Sequence, residues 1–165
     1  MPSKSLRTIR RALGDFPLFA HLASPHIDEL AGASRCATFH KDQAIYRAGD
    51  PAGEMYVLLA GQVKLALSCN RGNEKVIDVL DPGQSFGEAE LFGARPHLAA
   101  AVATRPCQVL CIGRDSIYRV MELDPRLALR VMKVLARRQT EMEAELAKRR
   151  FYSGSQRVLD YILQQ

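Results

Sequence analysis

The chain has 165 residues, of which 47% are hydrophobic and 25% are charged, a composition typical of a globular protein with a buried core. No apolar run approaches the roughly 18 residues that a membrane-spanning helix needs, so such a helix is excluded. The net charge of +5 permits a nucleic-acid partner without requiring one. The basic N-terminus lacks the apolar core of a signal peptide, and we therefore expect a cytoplasmic protein.

The cysteines do not have the spacing of a metal site. They stand at positions 36, 69, 107 and 111, and none forms a Cys-x-x-Cys pair. No histidine lies at zinc-ligand spacing from any of them. We interpret them as reduced thiols of a cytosolic protein.

The N-terminal part has the periodicity of helices. Apolar residues at 6, 9 and 13 predict a short helix that Gly14 ends. The aromatic residues of the segment 16–19 then anchor the chain to the core. Ser24 before Pro25 is the pattern of a helix N-cap followed by proline in the first turn, which predicts a helix over 25–33.

From Cys36 onwards the pattern is that of strands. Short segments of alternating apolar residues recur at intervals of roughly 8–12 residues, and glycine turns separate them. These turn glycines are Gly49, Gly61, Gly72 and Gly83, with a hairpin loop predicted at Asn70–Asn73. The spacing predicts an antiparallel barrel or roll.

The stretch from Pro82 to Val102 interrupts the strands. A Pro-Gly turn and Gly87 precede a Glu-Ala-Glu-Leu segment at helical spacing, and a small apolar run begins at Leu98. We predict a short helix between two strands, with a small pocket beside it. The free N–H groups at a helix start suit an anion, above all phosphate.

The last third of the chain is helical. A short helix is predicted to stop at Asp124, and a long one to run from Pro125 to about Phe151. The long helix has a seam in steps of three and four residues: Leu127, Val131, Val134, Leu135, Arg138, Met142 and Leu146. This spacing predicts a parallel coiled-coil homodimer, the alternative being a helix that lies only on its own roll. A length of roughly 40 Å, at 1.5 Å per residue, exceeds what so small a roll needs and favours the dimer.

A break in the long helix is predicted at Ser153-Gly154-Ser155. Ser155 would cap a new helix with Val158, Leu159 and Ile162 on one face. Because that helix finds no partner before Gln165, we expect a further domain beyond this chain.

This order of elements resembles the Crp–Fnr superfamily of bacterial transcription regulators. The residues that carry the resemblance are the turn glycines, Phe86-Gly87-Glu88 leading to Leu91-Phe92, Asp124-Pro125, and Ala136-Arg137-Arg138. The resemblance implies an α+β fold: N-terminal helices, an antiparallel β-roll (jelly roll) of the cyclic-nucleotide-binding type, and a long C-terminal dimerisation helix. A winged helix-turn-helix domain is expected and is missing from these residues.

The resemblance also divides the chain into parts. Residues 1–117 would form the helices and β-roll of an effector-sensing domain, and residues 118–152 the short helix and the dimerisation helix. Residues 153–165 would form the hinge and first helix of a truncated DNA-binding domain.

In the members that bind cyclic AMP, Gly-Glu opens the phosphate-binding segment, and Arg followed by Ser or Thr closes it. Gly87 and Glu88 match, but Leu98 and Ala99 stand at the positions of the Arg and the Ser or Thr. A buried phosphate without its cation is costly, so cyclic AMP is disfavoured, unless Arg95 reaches in past Pro96. The predicted effector-pocket residues are Phe86, Gly87, Glu88, Ala89, Leu98, Ala99, Ala100 and Arg138.

The segment 86–92 is similar to that of the Dnr/Nnr-like nitric-oxide-responsive subgroup, which also has an apolar residue at the Arg position. That resemblance makes haem a candidate effector group. Its possible axial ligands are His97 or His21, with His26 and His40 also available, and no other metal is expected. The simpler interpretation of His97 is an exposed loop residue. An iron–sulfur cluster is disfavoured because Cys36 has no neighbouring cysteine.

The resemblance therefore predicts the sensor and dimerisation region of a DNA-binding transcription regulator, either an activator or a repressor. Its effector would be haem-mediated nitric oxide or another small signal. Through the full-length protein, the homodimer would meet a palindromic operator and RNA polymerase. The alternative is a stand-alone regulatory or binding module of the same fold. We expect no enzyme, since no catalytic triad, metal cluster or phosphate loop is evident.

Overall fold

The computed structural model describes residues 4–68 and 74–163, with side chains over 6–68 and 74–148. The predicted loop at Asn70–Asn73, with Gly72, and Cys69 lie outside the described residues. The chain divides into two compact units, Met1–Leu127 and Ala128–Gln165. The boundary predicted after residue 117 instead falls inside a helix of the first unit.

Two helices open the first unit. Helix α1 spans Lys4–Asp15 and continues past Gly14, while α2 spans Ser24–Gly32. The stripe predicted for α2 is confirmed, since Ile27, Leu30 and Ala31 are buried. The N-cap position belongs to Ala23 rather than Ser24, and no side chain caps the helix, although Pro25 stands in the first turn as predicted.

The predicted antiparallel sheet is confirmed. Its strands are β1 (Ser34–Phe39), β2 (Ala44–Tyr46), β3 (Glu54–Ser68), β4 (Glu74–Leu80), β5 (Ser85–Phe86) and β6 (Ala100–Gly113). The main order is β1-β6-β3-β4, with β2 also on β6 and β5 also on β3. Every pairing is antiparallel. The core of the roll includes the fully buried side chains Leu58, Val63, Leu80, Phe86 and Val109.

Strand β3 is continuous where the sequence predicts a turn. Gly61 has φ +91°, and the register with β6 shifts around it, between Leu58 and Val63. A Cβ at Gly61 would lie 2.3 Å from the Pro106 carbonyl oxygen and 2.8 Å from the Cys107 Cα. Glycine at 61 therefore permits an irregularity at which the two long strands cross closely, rather than a reversal of the chain.

Three further helices follow β5: α3 (Glu88–Gly93), α4 (Arg114–Leu123) and α5 (Pro125–Leu163). Helix α4 buries Ile117 and Val120 and is tied to α2 by a 2.9 Å ion pair between Arg119 and Glu29. Within the described residues, no helix is both long and apolar enough to cross a membrane.

The break predicted at Ser153-Gly154-Ser155 is wrong, because α5 is helical throughout. One glycine costs a helix only about 1 kcal/mol, and no proline stands near it. The side chains predicted to cap and pack the following helix lie outside the described side chains.

Replacing Gly61 tests the close crossing of β3 and β6. Gly61→Ala should lower the free energy of unfolding by more than the roughly 1–2 kcal/mol that a left-handed backbone alone imposes, because the new Cβ clashes with backbone of β6. Gly49→Ala is the matched control, since Gly49 has φ +90° but an added Cβ would meet nothing within 4 Å. Urea unfolding measures both variants. Equal losses would contradict the role of the crossing.

Candidate functional site

The start of α3 depends on a glycine for two reasons. Gly87 joins β5 to α3 in a left-handed conformation with φ +81°. A Cβ at this position would lie 2.8 Å from Cδ2 of the Tyr56 ring. Glycine therefore supplies both the turn and the room, and Tyr56 packs directly behind the start of the helix.

Glu88 is buried and bound by a neighbour on its own segment. It is the first residue of α3 and 1% exposed, and its Oε1 accepts a hydrogen bond of 3.2 Å from Ser85 Oγ. Burying a carboxylate is costly unless donors surround it, and Ser85 supplies one of them. This oxygen of Glu88 is thus already engaged by the protein itself.

Four rings from separate parts of the chain form a cluster inside the roll, which we call the aromatic floor: Tyr46, Tyr56, Phe86 and His97. The ring centroids of Tyr46 and Tyr56 are 5.4 Å apart, and those of Tyr56 and Phe86 are 5.2 Å apart. His97 stacks on Tyr46 at 3.6 Å with an interplanar angle of 10°. All four residues are buried, so the floor is a packed layer.

The structure corrects the interpretation of His97 as an exposed loop residue. Its side chain is fully buried. The backbone explains why: Gly49 N donates to His97 O at 2.8 Å, and His97 N donates to Asp50 O at 3.0 Å. These two bonds hold the loop after α3 against the β2–β3 connection, and the ring packs on Tyr46.

Two carboxylates influence the buried imidazole. Nδ1 of His97 lies 3.8 Å from Oε2 of Glu90 on α3. Burial lowers the pKa of His97, whereas Glu90 and Asp50 act in the opposite direction. Among the described residues, neither ring nitrogen has a hydrogen-bond partner. His97 is therefore a neutral imidazole at neutral pH, next to a carboxylate that would attract it if it were protonated.

The predicted phosphate-closing positions lie in different environments. Leu98 is 71% exposed, whereas Ala99 is buried and Ala100 half-buried, and their assignment to the pocket stays a prediction. Ala89, also predicted in the pocket, is exposed. Arg95 is exposed, and its Nε lies beside Gly93 at the end of α3. Neither Leu98 nor Ala99 supplies a charge to the interior of the roll.

Of the other predicted pocket residues, three lie together in the structure, and one belongs to the second unit. Phe86, Gly87 and Glu88 are buried together at the β5–α3 junction. Arg138 belongs to α5 in the second unit, and its assignment to the pocket stays a prediction.

The polar support behind Tyr56 was not predicted. Glu54 forms an ion pair of 2.8 Å with Arg35 of β1. Burial, followed by the charge of Glu54, raises the pKa of Tyr56, so its hydroxyl stays protonated. The alternation of β3 indicates only that Tyr56 faces one side of the sheet. It does not reveal that Gly87 packs against the ring.

Two of the three described cysteines are buried thiols. Cys107 and Cys111 are buried in β6, and Cys36 is exposed on β1. Burial raises the pKa of Cys111 to about 12, which keeps the thiol protonated. Within the described part of the chain, no three His, Cys, Asp or Glu side chains are grouped to hold a metal ion.

The assignment of haem stays a prediction. An axial histidine binds the iron through a ring nitrogen, and the ring of His97 is fully buried and stacked on Tyr46 at 3.6 Å. His21, the other candidate, is exposed.

Known proteins match this chain in sequence and in fold. The cyclic nucleotide-binding domain family matches residues 37–124. The CRP-like cAMP-activated global transcriptional regulator of Mycobacterium tuberculosis is 25% identical over 76% of this chain and 56% of its own length. The cyclic AMP receptor protein of Thermus thermophilus is 28% identical over 86% of this chain and 66% of its own. The chain thus spans between about half and two thirds of the length of these relatives.

Among solved structures, the sensor domain of the transcriptional regulator DNR from Pseudomonas aeruginosa matches with a TM-score of 0.74 and 28% identity. The match covers 82% of this chain and 91% of that one. The match to the family runs from within β1 to the residue after α4, which is more than half of the chain. The resemblance to the Crp–Fnr superfamily is consistent with all of these matches. The chain belongs to the cyclic nucleotide-binding domain family.

Proposed function

We propose that this chain is the sensor and dimerisation region of a Crp–Fnr-type transcription regulator whose effector is not cyclic AMP. The exclusion of cyclic AMP rests on one observation, which is that Leu98 and Ala99 stand in place of the Arg and the Ser or Thr that bind the phosphate. Leu98 is 71% exposed, and Ala99, which is buried, has no polar side-chain atom. The proposal is thus that the fold of the family is kept and its ligand has changed.

The charges around α3 support this proposal. Glu88 and Glu90 both lie on α3, and Glu88 is 1% exposed. A cyclic phosphate would bring a further negative charge toward these carboxylates, without the arginine that compensates it in the members that bind cyclic AMP. Transfer of an uncompensated ion into a protein interior costs several kcal/mol, and each 1.4 kcal/mol weakens binding about tenfold.

The effector that best suits the site is a small signal that is neutral or positively charged. Ser85 already occupies one oxygen of Glu88, and the aromatic floor offers apolar and stacking surface. Haem would have to reach His97, whose side chain is fully buried, so a smaller signal agrees better with the packing.

The second unit supports dimerisation. Among the described side chains of α5, large apolar ones are exposed at Leu129, Met132, Met142 and Leu146. Leu127 and Val131, which were predicted in the seam, are instead buried. The dimer seam that we propose therefore begins after Val131 and includes Met142 and Leu146.

A role in transcription follows from the relatives and from α5 together. The matching proteins from Mycobacterium tuberculosis and Pseudomonas aeruginosa are transcriptional regulators. A stand-alone binding module of the same fold has no need of a 39-residue helix with exposed apolar side chains. We therefore propose a DNA-binding homodimer, acting through the full-length protein, in preference to the stand-alone module.

Calorimetry tests the effector assignment. The chain should show no micromolar affinity for cyclic AMP, because no cation stands where the phosphate would bind. The double substitution Leu98→Arg with Ala99→Ser should create measurable affinity by restoring the cation and the hydroxyl. Leu98→Gln with Ala99→Ser is the matched control, which restores polarity without charge. Micromolar affinity of the unmodified chain would overturn the proposal.

Light scattering tests the seam. The chain should have twice its monomer mass of 18.3 kDa, and Leu146→Asp should shift it toward the monomer, because a buried unpaired charge opposes association. Ala144→Asp is the matched control, with the same charge on the opposite side of the helix. Loss of the dimer in both variants, or a monomer for the unmodified chain, would contradict the seam.

Chromatin precipitation of the full-length protein tests the regulatory role. A two-fold-symmetric dimer should recover DNA sites with inverted half-sites about one helical turn apart. Absence of enriched sites would favour the stand-alone module, and sites without symmetry would contradict a symmetric dimer.

A further inference from the structure

In the loop between α3 and β6, residues 94–99, His97 contacts the roll through both its backbone and its ring. His97 makes the two backbone bonds with Gly49 and Asp50, and its ring stacks on Tyr46. The loop begins at Ala94 in a left-handed conformation with φ +49°, which is uncommon for a residue other than glycine. Because the loop is strained at Ala94 and attached at His97, it is a candidate for a segment with one distinct closed state.

The groups that face His97 come from four parts of the chain. Glu90 is on α3, Asp50 on the β2–β3 connection, Tyr46 on β2 and Tyr56 on β3. Glutamate and aspartate are ordinarily charged, and tyrosine ordinarily neutral, throughout the range from pH 5 to pH 8. Histidine is the side chain whose ordinary titration falls within that range. The closed loop therefore contains one group that can change its charge near neutral pH.

We propose that residues 94–99 form an acid-opened lid over the aromatic floor, with His97 as its latch. The inference rests on the proposed function, in which the interior of the roll is the effector site. In the closed state, the imidazole is neutral and stacked. In the open state, the ring is hydrated, accepts a proton without a desolvation cost, and leaves Tyr46 accessible to an effector.

The sign of the pH dependence follows from linkage. Burial lowers the pKa of His97 in the closed state, and the open state has the ordinary value of roughly 6.5. The closed lid is therefore fully stabilised above about pH 6.5 and loses stability as the pH falls from there toward the lowered value. At pH values below both pKa values, each unit of difference between them changes the ratio of open to closed lid about tenfold.

The neighbouring carboxylates limit the size of the effect. Glu90 and Asp50 both favour the protonated ring and so oppose the influence of burial. Removing the charge of Glu90 should lower the closed-state pKa further and strengthen the response to acid. Replacing His97 should therefore abolish the response of the lid to acid, whereas removing the Glu90 charge should enlarge it. A general destabilisation by acid would not produce these opposite effects.

Hydrogen exchange on the 165-residue chain tests the lid. Protection factors are compared at pH 7.5 and 5.5 for the amides of Gly49 and His97, which bond across the loop, and of Ala103, which donates to Gln43 O outside it. We expect acid to lower protection of the first two amides, by at most about tenfold at pH 5.5, which is one unit below the ordinary histidine pKa of roughly 6.5, and to leave Ala103 unchanged. His97→Phe, which keeps a flat ring but takes no proton, should abolish the change, and Glu90→Gln should enlarge it.

Several outcomes would overturn the lid. One is an equal loss of protection in the unmodified chain and in His97→Phe, and another is a parallel loss at Ala103. A third is an NMR titration that places the pKa of His97 at or above the ordinary histidine value. If His97→Phe does not fold, His97→Gln replaces it with the same expectation. None of these results bears on the cyclic AMP or dimer measurements, so failure of the lid and failure of the proposed function remain distinguishable.

Discussion

The long antiparallel pairing of β3 with β6 is the constraint on which the rest of the first unit depends. Strands β1 and β2 attach to β6, whereas β4 and β5 attach to β3, so every other strand is positioned by this pair. The two strands run from Glu54 opposite Gly113 to Ala66 opposite Ala100, with register shifts around Gly61. The close backbone approach at Gly61 permits those shifts in register. Such an irregularity bends the strands, so the two ends of the β3–β6 pair belong to different parts of one roll.

The positions of the site residues follow from the pairing of β3 with β6. Strand β5 lies on β3 and places Phe86 opposite Tyr56, while β2 lies on β6 and brings Tyr46 to the same interior. Gly87 then turns the chain against the Tyr56 ring and begins α3. The aromatic floor thus consists of residues far apart in the chain that meet because their strands pair with the same two partners.

We propose that the roll keeps the fold of its family while its ligand has changed. The β5–α3 turn keeps its glycine and its buried glutamate, but Ser85 engages that glutamate from within the chain. The positions that would meet a phosphate present an exposed Leu98 and a buried Ala99. The roll also contains a buried, stacked histidine, His97, whose pKa is lowered by burial and raised by Glu90. The two proposals, a changed ligand and an acid-opened lid, therefore concern the same short loop.

Local sequence determined the class of the fold and the loss of the phosphate pair. Alternation of apolar residues and the spacing of the turn glycines predict the antiparallel roll, because both depend on neighbours within a few residues. The β5–α3 turn is likewise readable from Gly87 and Glu88, and the missing cation from Leu98.

Tertiary structure alone decided that His97 is buried, since its place is set by backbone bonds to Gly49 and Asp50, nearly 50 residues earlier in the chain. It also decided that Gly61 lies within a continuous strand, because the partner that accommodates it, Pro106, is equally distant in sequence. Periodicity reports which residues face inward. Which of those residues then touch depends on pairing between distant segments, and that information is absent from any local pattern.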